Sequence, residues 1–388
     1  MIHGEETLEL KKEICSFEYL QKKIQDNKMS IVLFGAGAIG KIVIPQILLS
    51  YDITDYIDCY IDNDSSKWNT TINVLNKQIE VKSPEYLKKC EENTVIFINI
   101  SRYAEVIEQL EQMECTQNMT AFIMPMLLID NFCSDISKGK PVMTSDPIIP
   151  KKIHYIWLGR KEIPYNLRRC IDTWREKCPD YEIIRWDESN YDFGKHPYMR
   201  QAYASGAYGF VPDYARLDIL YREGGFYFDT DVEIKKNLDE LRYQEAFCAL
   251  EKWQILNFGG GSGAVKGHPM IKRFLDARES IMFLDENGKQ NRNTCGFYDT
   301  QTALAEGYEI TGKTQNIGGM NIYAYDYFHP YDYMSGLTNE TEHTFSIHYF
   351  NGGWMDDKMK EQNRLAIEKY QDIYKKCLKE SILFWRIA

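Results

Sequence analysis

Residues 210–233 read FVPDYARLDILYREGGFYFDTDVE, and no other stretch constrains the fold so tightly. Pro212 suits a first helical turn, where its missing N–H would be unpaired anyway, and Gly224–Gly225 is a strong helix stop. Phe226, Tyr227 and Phe228 favour a strand, so the sequence predicts helix, stop, short strand, and then two aspartates, Asp229 and Asp231, where the strand meets solvent. Two like charges so close raise each other's pKa unless a cation or donors compensate. Mg²⁺ and Mn²⁺ favour a few carboxylates plus phosphate oxygens, so such a pair can hold a cation that grips a diphosphate. One Asp-x-Asp pair is weak evidence alone. Asp62-Asn63-Asp64 is a second, and a solvated turn is the alternative for either.

Further blocks surround the first: KKIHYIWLG (151–159), CIDTWREKCPDYEIIRWDE (170–188), the helix carrying Asp213 and Arg216, GAVKGHP (263–269) and IHYFNGGW (347–354). In this order they resemble the DXD-containing sugar transferases of glycosyltransferase family 32, and more distantly the catalytic domain of the large glucosylating toxins. The likeness spans roughly residues 149–355. It implies an α/β fold of GT-A type, a nucleotide-sugar donor, a divalent metal (Mn²⁺ or Mg²⁺) and retention of anomeric configuration. It also suggests bacterial capsule or exopolysaccharide synthesis.

The resemblance and the chemistry of diphosphate departure together give each residue an expected role. Asp231 is the first choice for a direct metal ligand. Asp229 would reach the metal through water, or else the ribose and donor sugar. His348 would complete the metal set, its alternative being a structural histidine. Asp213 and Arg216, three apart on a helix, share a face. The resemblance takes them to the donor sugar hydroxyls and the leaving diphosphate; an intrahelical ion pair is the alternative. Asp218 and Arg222 fit that plainer role. Trp157 would stack on the nucleotide base or pack in the core, and Trp354 would lie by the leaving group. Gly353 stands where the family usually has a small hydroxyl residue, so no side-chain metal contact is expected there.

Ahead of these blocks lies a second α/β pattern. The apolar run 29–34, the turn GAGAIG (35–40), a helix over 41–49 with Pro45 near its start, and strands at 59–64 and 95–100 predict a smaller Rossmann-like domain. Gly35, Gly37 and Gly40, with Asp62 as a ribose-binding acid, form a possible second nucleotide site; glycines serving only a tight turn are the alternative. The expected organisation is a Rossmann-like domain over 1–125, a linker over 126–148, a GT-A domain over 149–355 and a helical tail over 356–388. The tail is expected to pack on the catalytic domain, with shallow membrane contact as the alternative.

Bulk properties narrow the partners. A net charge of −11 disfavours nucleic acid and anionic membrane as partners of the whole surface. No run of about 18 apolar residues occurs, and the charged start MIHGEETLELKKEIC has no apolar core of a secretion signal. Ten scattered cysteines without a C-x₂-C fit reduced thiols in a cytoplasm. The sequence reading is therefore a cytoplasmic sugar transferase, peripheral at the inner membrane face if the tail touches lipid, acting on a glycan or lipid-linked acceptor. The alternative is a nicotinamide-dependent nucleotide-sugar oxidoreductase or epimerase run by GAGAIG. NAD is not expected, because that alternative leaves the blocks of 149–355 unexplained.

Overall fold

The computed structural model describes residues 10–133, 139–351, 361 and 364–373, which fall into two units. The first comprises 10–133 with 364–373; the second comprises 139–351 with 361.

In the first unit the elements run β1 Lys11–Glu13, α1 Phe17–Asn27, β2 Ser30–Phe34, α2 Ile44–Ser50, β3 Ile57–Ile61, β4 Thr71–Val74, β5 Lys77–Lys82, β6 Thr94–Ile98, α3 Tyr103–Glu111, β7 Thr120–Ile123 and α4 Met124–Cys133. The sheet order is β1-β7-β6-β2-β3-β5-β4, parallel throughout except for the β4–β5 hairpin. Its central strands, SIVLF and TVIFI, are almost wholly buried, the continuous apolar pattern of strands covered on both faces. The helix expected over 41–49 opens earlier, as a wide π turn over Ile39–Val43, with Ile44 N–H reaching back to Ile39 O. Pro45 has no N–H for Lys41 O, and the wide turn places it at the start of α2.

Two expected boundaries shift. The stretch predicted as linker begins as α4, whose Met126, Leu127 and Leu128 are buried in the first unit. Its later part is fastened to the second unit: Val142 exchanges two backbone hydrogen bonds with the Asn321 amide (2.9 and 2.8 Å), and Thr144 N–H donates to Tyr243 O. The described part of the C-terminal helix lies in the first unit rather than on the second, the expected partner of the tail. Tyr370, 1% exposed, packs its ring 4.6 Å from Tyr103, and Lys369 pairs with Glu108. The helical period was readable; the partner of the apolar stripe was not.

The second unit continues with β8 Lys152–Ile156, α5 Tyr165–Lys177, β9 Glu182–Trp186, α6 Pro197–Ala204, α7 Pro212–Glu223, β10 Gly225–Tyr227, β11 Val232–Ile234, β12 Ala246–Leu250, β13 Leu256–Asn257, β14 Ser262–Ala264, α8 Pro269–Arg278, α9 Cys295–Ala305, β15 Gln315–Ile317, β16 Met320–Tyr323, β17 Tyr331–Asp332, β18 Leu337–Thr338 and β19 Ser346–His348. Its main sheet runs β15-β16-β12-β14-β10-β8-β9, with β13 paired to β12. Strands β9, β8 and β10 are parallel, and β14 is antiparallel to both β10 and β12. The carboxyl ends of the parallel strands therefore share one edge. A separate ribbon pairs β11 with β19. Trp174, Phe226, Phe228 and Phe247 are fully buried between sheet and ribbon, and the Trp174 indole N–H donates to Val232 O at 2.7 Å. This core holds the exit of β10 rigid.

Candidate active site

The predicted helix–stop–strand motif forms as its residues dictate. Pro212 opens α7, Gly224 ends it at φ 67°, and β10 follows at once. Gly225, at φ 94°, lies where a Cβ would come 2.8 Å from Lys152 O, so only glycine turns the chain here. His154 locks the turn. Its Nδ1 faces the Trp186 indole N–H, a donor only, so Nε2 carries the proton and donates to Gly224 O at 2.8 Å. Burial keeps this imidazole neutral, its pKa lowered to about 4.

Asp229 and Asp231 leave the end of β10. The Asp229 backbone N–H donates to Gly259 O (2.8 Å), while its Oδ1 accepts from Tyr227 Oη (2.9 Å) and lies 3.5 Å from Arg216 Nη2. Asp231 is held from the ribbon. Register Val232↔His348 sets the histidine opposite, with Nε2 3.4 Å from Asp231 Oδ1, and Asn351 N–H donates to Oδ2 at 2.7 Å. Ligand atoms of Asp229, Asp231 and His348 all fall within 4.8 Å of one another. Burial opposes ionisation of Asp231, yet His348 and the Asn351 N–H hold its carboxyl below the usual range. For His348, burial opposes the charge and Asp231 overcomes it, raising the imidazole.

Behind this cluster stands Arg216, 6% exposed at its side chain. Its Nε donates to Pro212 O (3.1 Å), Nη2 faces Asp213 Oδ1 (3.3 Å), and the guanidinium lies over the Tyr227 ring. Asp213 also accepts from Tyr198 Oη at 3.4 Å. Burial pushes its carboxyl up to about 6, against the pull of Arg216 and Arg278. The intrahelical contact is thus present, and the pair is buried with Arg216 facing Asp229. Asp218 takes the plainer role, accepting from Arg222 and Tyr191 and pairing with Lys195.

The structure brings together Asp213, Arg216, Asp229, Asp231 and His348. Trp157 emerges from β8 at the same sheet edge, half-buried against the core, its indole N–H donating to Lys161 O. Trp354 and Gly353 lie outside the described residues. Gly35, Gly37, Gly40 and Asp62 belong to the first unit. There the oxygens of Asp62 accept from Ala36 N–H and Asp64 N–H, 2.8 Å each, and from Lys67 Nζ at 2.9 Å, so the carboxylate clamps the turn and little of its acceptor capacity is left for a ribose.

Sequence reasoning missed a supporting layer. Asn257 Oδ1 accepts from Gly259 N–H (2.7 Å) and Gly260 N–H (3.3 Å), while its Nδ2 donates to Glu251 Oε1 (2.7 Å). A Cβ on Gly260 would strike the His329 ring at 2.1 Å. Arg278 and Asp299 form a buried ion pair at 2.7 Å, and Arg278 also binds Cys295 O. The run Gly259–Gly260–Gly261 was the one local signal available.

A helix entering a sheet edge that bears paired aspartates, a histidine and a buried arginine can hold a divalent cation and meet the charge of a diphosphate. Residues 164–248 match the family described as the glycosyltransferase sugar-binding region containing DXD motif. Inositol phosphoceramide mannosyltransferase 3 of Schizosaccharomyces pombe is 32% identical over 160 residues, covering 38% of this chain and 43% of that protein. Subversion of eukaryotic traffic protein A of Legionella pneumophila is 24% identical over 248 residues, 55% of this chain and 36% of that one. The chain thus spans less than half the length of either. The solved PaToxG glycosyltransferase overlaps 53% of this chain and 78% of its own at TM-score 0.33 and 19% identity.

Proposed function

We propose that the chain is a metal-dependent, retaining glycosyltransferase that moves a sugar from a nucleotide-sugar donor, a UDP-sugar first of all, to a glycan or lipid-linked acceptor in surface polysaccharide synthesis. The observation that carries this is the convergence of Asp229, Asp231 and His348 within 4.8 Å, beside the buried Arg216. Two carboxylates suit Mn²⁺ or Mg²⁺, the imidazole is acceptable to Mn²⁺, and three protein ligands leave coordination positions for phosphate oxygens. When bound, such an ion supplies Lewis-acid neutralisation of charge on the leaving diphosphate.

The side chains supply the rest. As the sugar–phosphate bond breaks, positive charge grows at the anomeric carbon and negative charge on the phosphate. Arg216, its fork fixed by Pro212 O, Asp213 and Asp229, presents a preorganised cation to that charge. Asp213 accepts from sugar hydroxyls, and Trp157 stacks on the base. The acceptor oxygen attacks on the face the diphosphate leaves, and its proton passes to a phosphate oxygen, so configuration is retained.

The relatives named as mannosyltransferases of inositol phosphoceramide favour a mannosyl donor and a lipid-linked acceptor as a second reading of specificity. Among the described residues no helix is long and apolar enough to cross a membrane. The scattered cysteines without a C-x₂-C are what favour the cytoplasm or its membrane face as the site of action. A panel of nucleotide sugars with Mn²⁺, followed by NMR of the product, tests donor and stereochemistry. An inverted linkage would discard the retaining scheme.

A further inference from the structure

The sheet of the first unit reverses its order between β2 and β6, and at such a reversal the two connections leave for opposite faces and open a crevice at the carboxyl ends of the strands. The turn 35–40 follows β2 and Asn99 follows β6, so both stand at that crevice. Packing accounts for two of the three glycines. A Cβ at Gly35 would lie 2.2 Å from Ile100 Cγ2, and one at Gly40 would lie 2.1 Å from Gly35 O. It does not account for Gly37, where a Cβ would meet nothing within 4 Å. The space above the middle of the turn is open.

Asn99 is the second observation. It is 2% exposed, its Cβ lies 3.4 Å from a Cβ built on Gly40, and neither its amide nitrogen nor its amide oxygen has a hydrogen-bond partner. Buried amides are almost always paired, so this one lacks a group that both donates and accepts. Charge at the same edge points the same way. Lys67 pairs with Asp62, whereas Lys41, on the turn itself, has no ion-pair partner among the described residues. Burial and the neighbouring Lys67 lower the Lys41 ammonium, and the pull of Asp62 only partly offsets them.

We propose that the crevice formed by the turn 35–40, Lys41, Lys67 and Asn99 is a second ligand site, separate from the DXD centre, that binds a nucleoside phosphate. Lys41 and Lys67 take the phosphate over the open face of Gly37, and Asn99 pairs with a base edge or ribose hydroxyl. Asp62 already accepts from Ala36 N–H, Asp64 N–H and Lys67, so little of its capacity is left for a ribose, and a nucleotide held mainly by its phosphate fits the residues present.

The test uses the full chain carrying Asp229→Ala and Asp231→Asn, in EDTA, titrated calorimetrically with UDP, GDP, ADP and inorganic phosphate. At least one nucleotide is expected to bind. Lys41→Ala, an exposed change, and Gly37→Asp, which sets a carboxylate in open space, should each weaken it by about tenfold or more with the melting temperature unchanged. Asn99→Ala should weaken nucleotide but not inorganic phosphate. Binding by none of the four, or binding indifferent to Lys41→Ala and Gly37→Asp, would overturn the proposal. Nucleotide binding that needs intact Asp229 and Asp231 would also overturn it while leaving the transferase reading in place.

Discussion

Gly259 and Asp229 fit together so closely that the glycine's missing side chain is part of the site. Gly259 O accepts the Asp229 N–H at 2.8 Å, and a Cβ on Gly259 would lie 2.1 Å from Asp229 Oδ2 and 3.1 Å from Arg216 Nη1. The clashing atoms are tips of side chains, so Gly259→Ala should fold while pushing both groups aside. A displacement of that size is expected to lower turnover about 100-fold. Steady-state rates beside a melting curve check it; wild-type turnover would show that Asp229 and Arg216 need not sit where they do.

Arg216→Lys separates geometry from charge. The substitution keeps a cation but loses the planar fork that spans Asp213, Asp229 and Pro212 O. A group acting on charge that grows in the transition state should show mainly in kcat, falling about 10²–10³-fold with little change in donor KM. A pure KM effect would reduce Arg216 to a ground-state contact.

The buried Arg278–Asp299 pair supports the floor of the site, with side chains 5% and 3% exposed. Removing one partner strands the other charge, so Asp299→Ala should cost about 3–5 kcal/mol by chemical denaturation of the catalytic unit. A loss under about 1 kcal/mol would mean Arg278 finds water or another acceptor.

Glu251 gives a pH signature. Burial pushes its carboxyl from 4.5 up to about 7, partly relieved by the Asn257 amide. Between those values the folded chain keeps a proton the unfolded chain has lost, so this group's stabilising contribution is full below about 4.5 and lost as pH rises through about 7. In chelated protein, Glu251→Gln should flatten that part of the stability profile and raise the melting temperature at pH 8 by roughly 2–4 °C. An unchanged slope would assign the titration elsewhere.

The local parts of the site were readable because local rules made them. Pro212, Gly224 and the aromatic run place Asp229 and Asp231 at a strand exit, and the fold delivers them there. His348 was reachable only through family likeness; physically it arrives by the β11–β19 pairing, a contact 116 residues long in sequence that leaves no local trace. Asn257, Glu251, Arg278 and Asp299 carry no motif, since their partners are assembled by tertiary packing. Asp62 shows another limit: the spacing is legible, but that its carboxylate also clamps the turn through Ala36 and Asp64 N–H is not.

The central claim is that Asp229, Asp231 and His348 form a metal centre on which transfer depends, and donor turnover under metal control tests it most directly. Hydrolysis or transfer of the preferred nucleotide sugar should vanish in EDTA and return with Mn²⁺ or Mg²⁺. In folded Asp231→Asn it should not return at any metal concentration. Full turnover by the chelated wild-type chain would contradict the account.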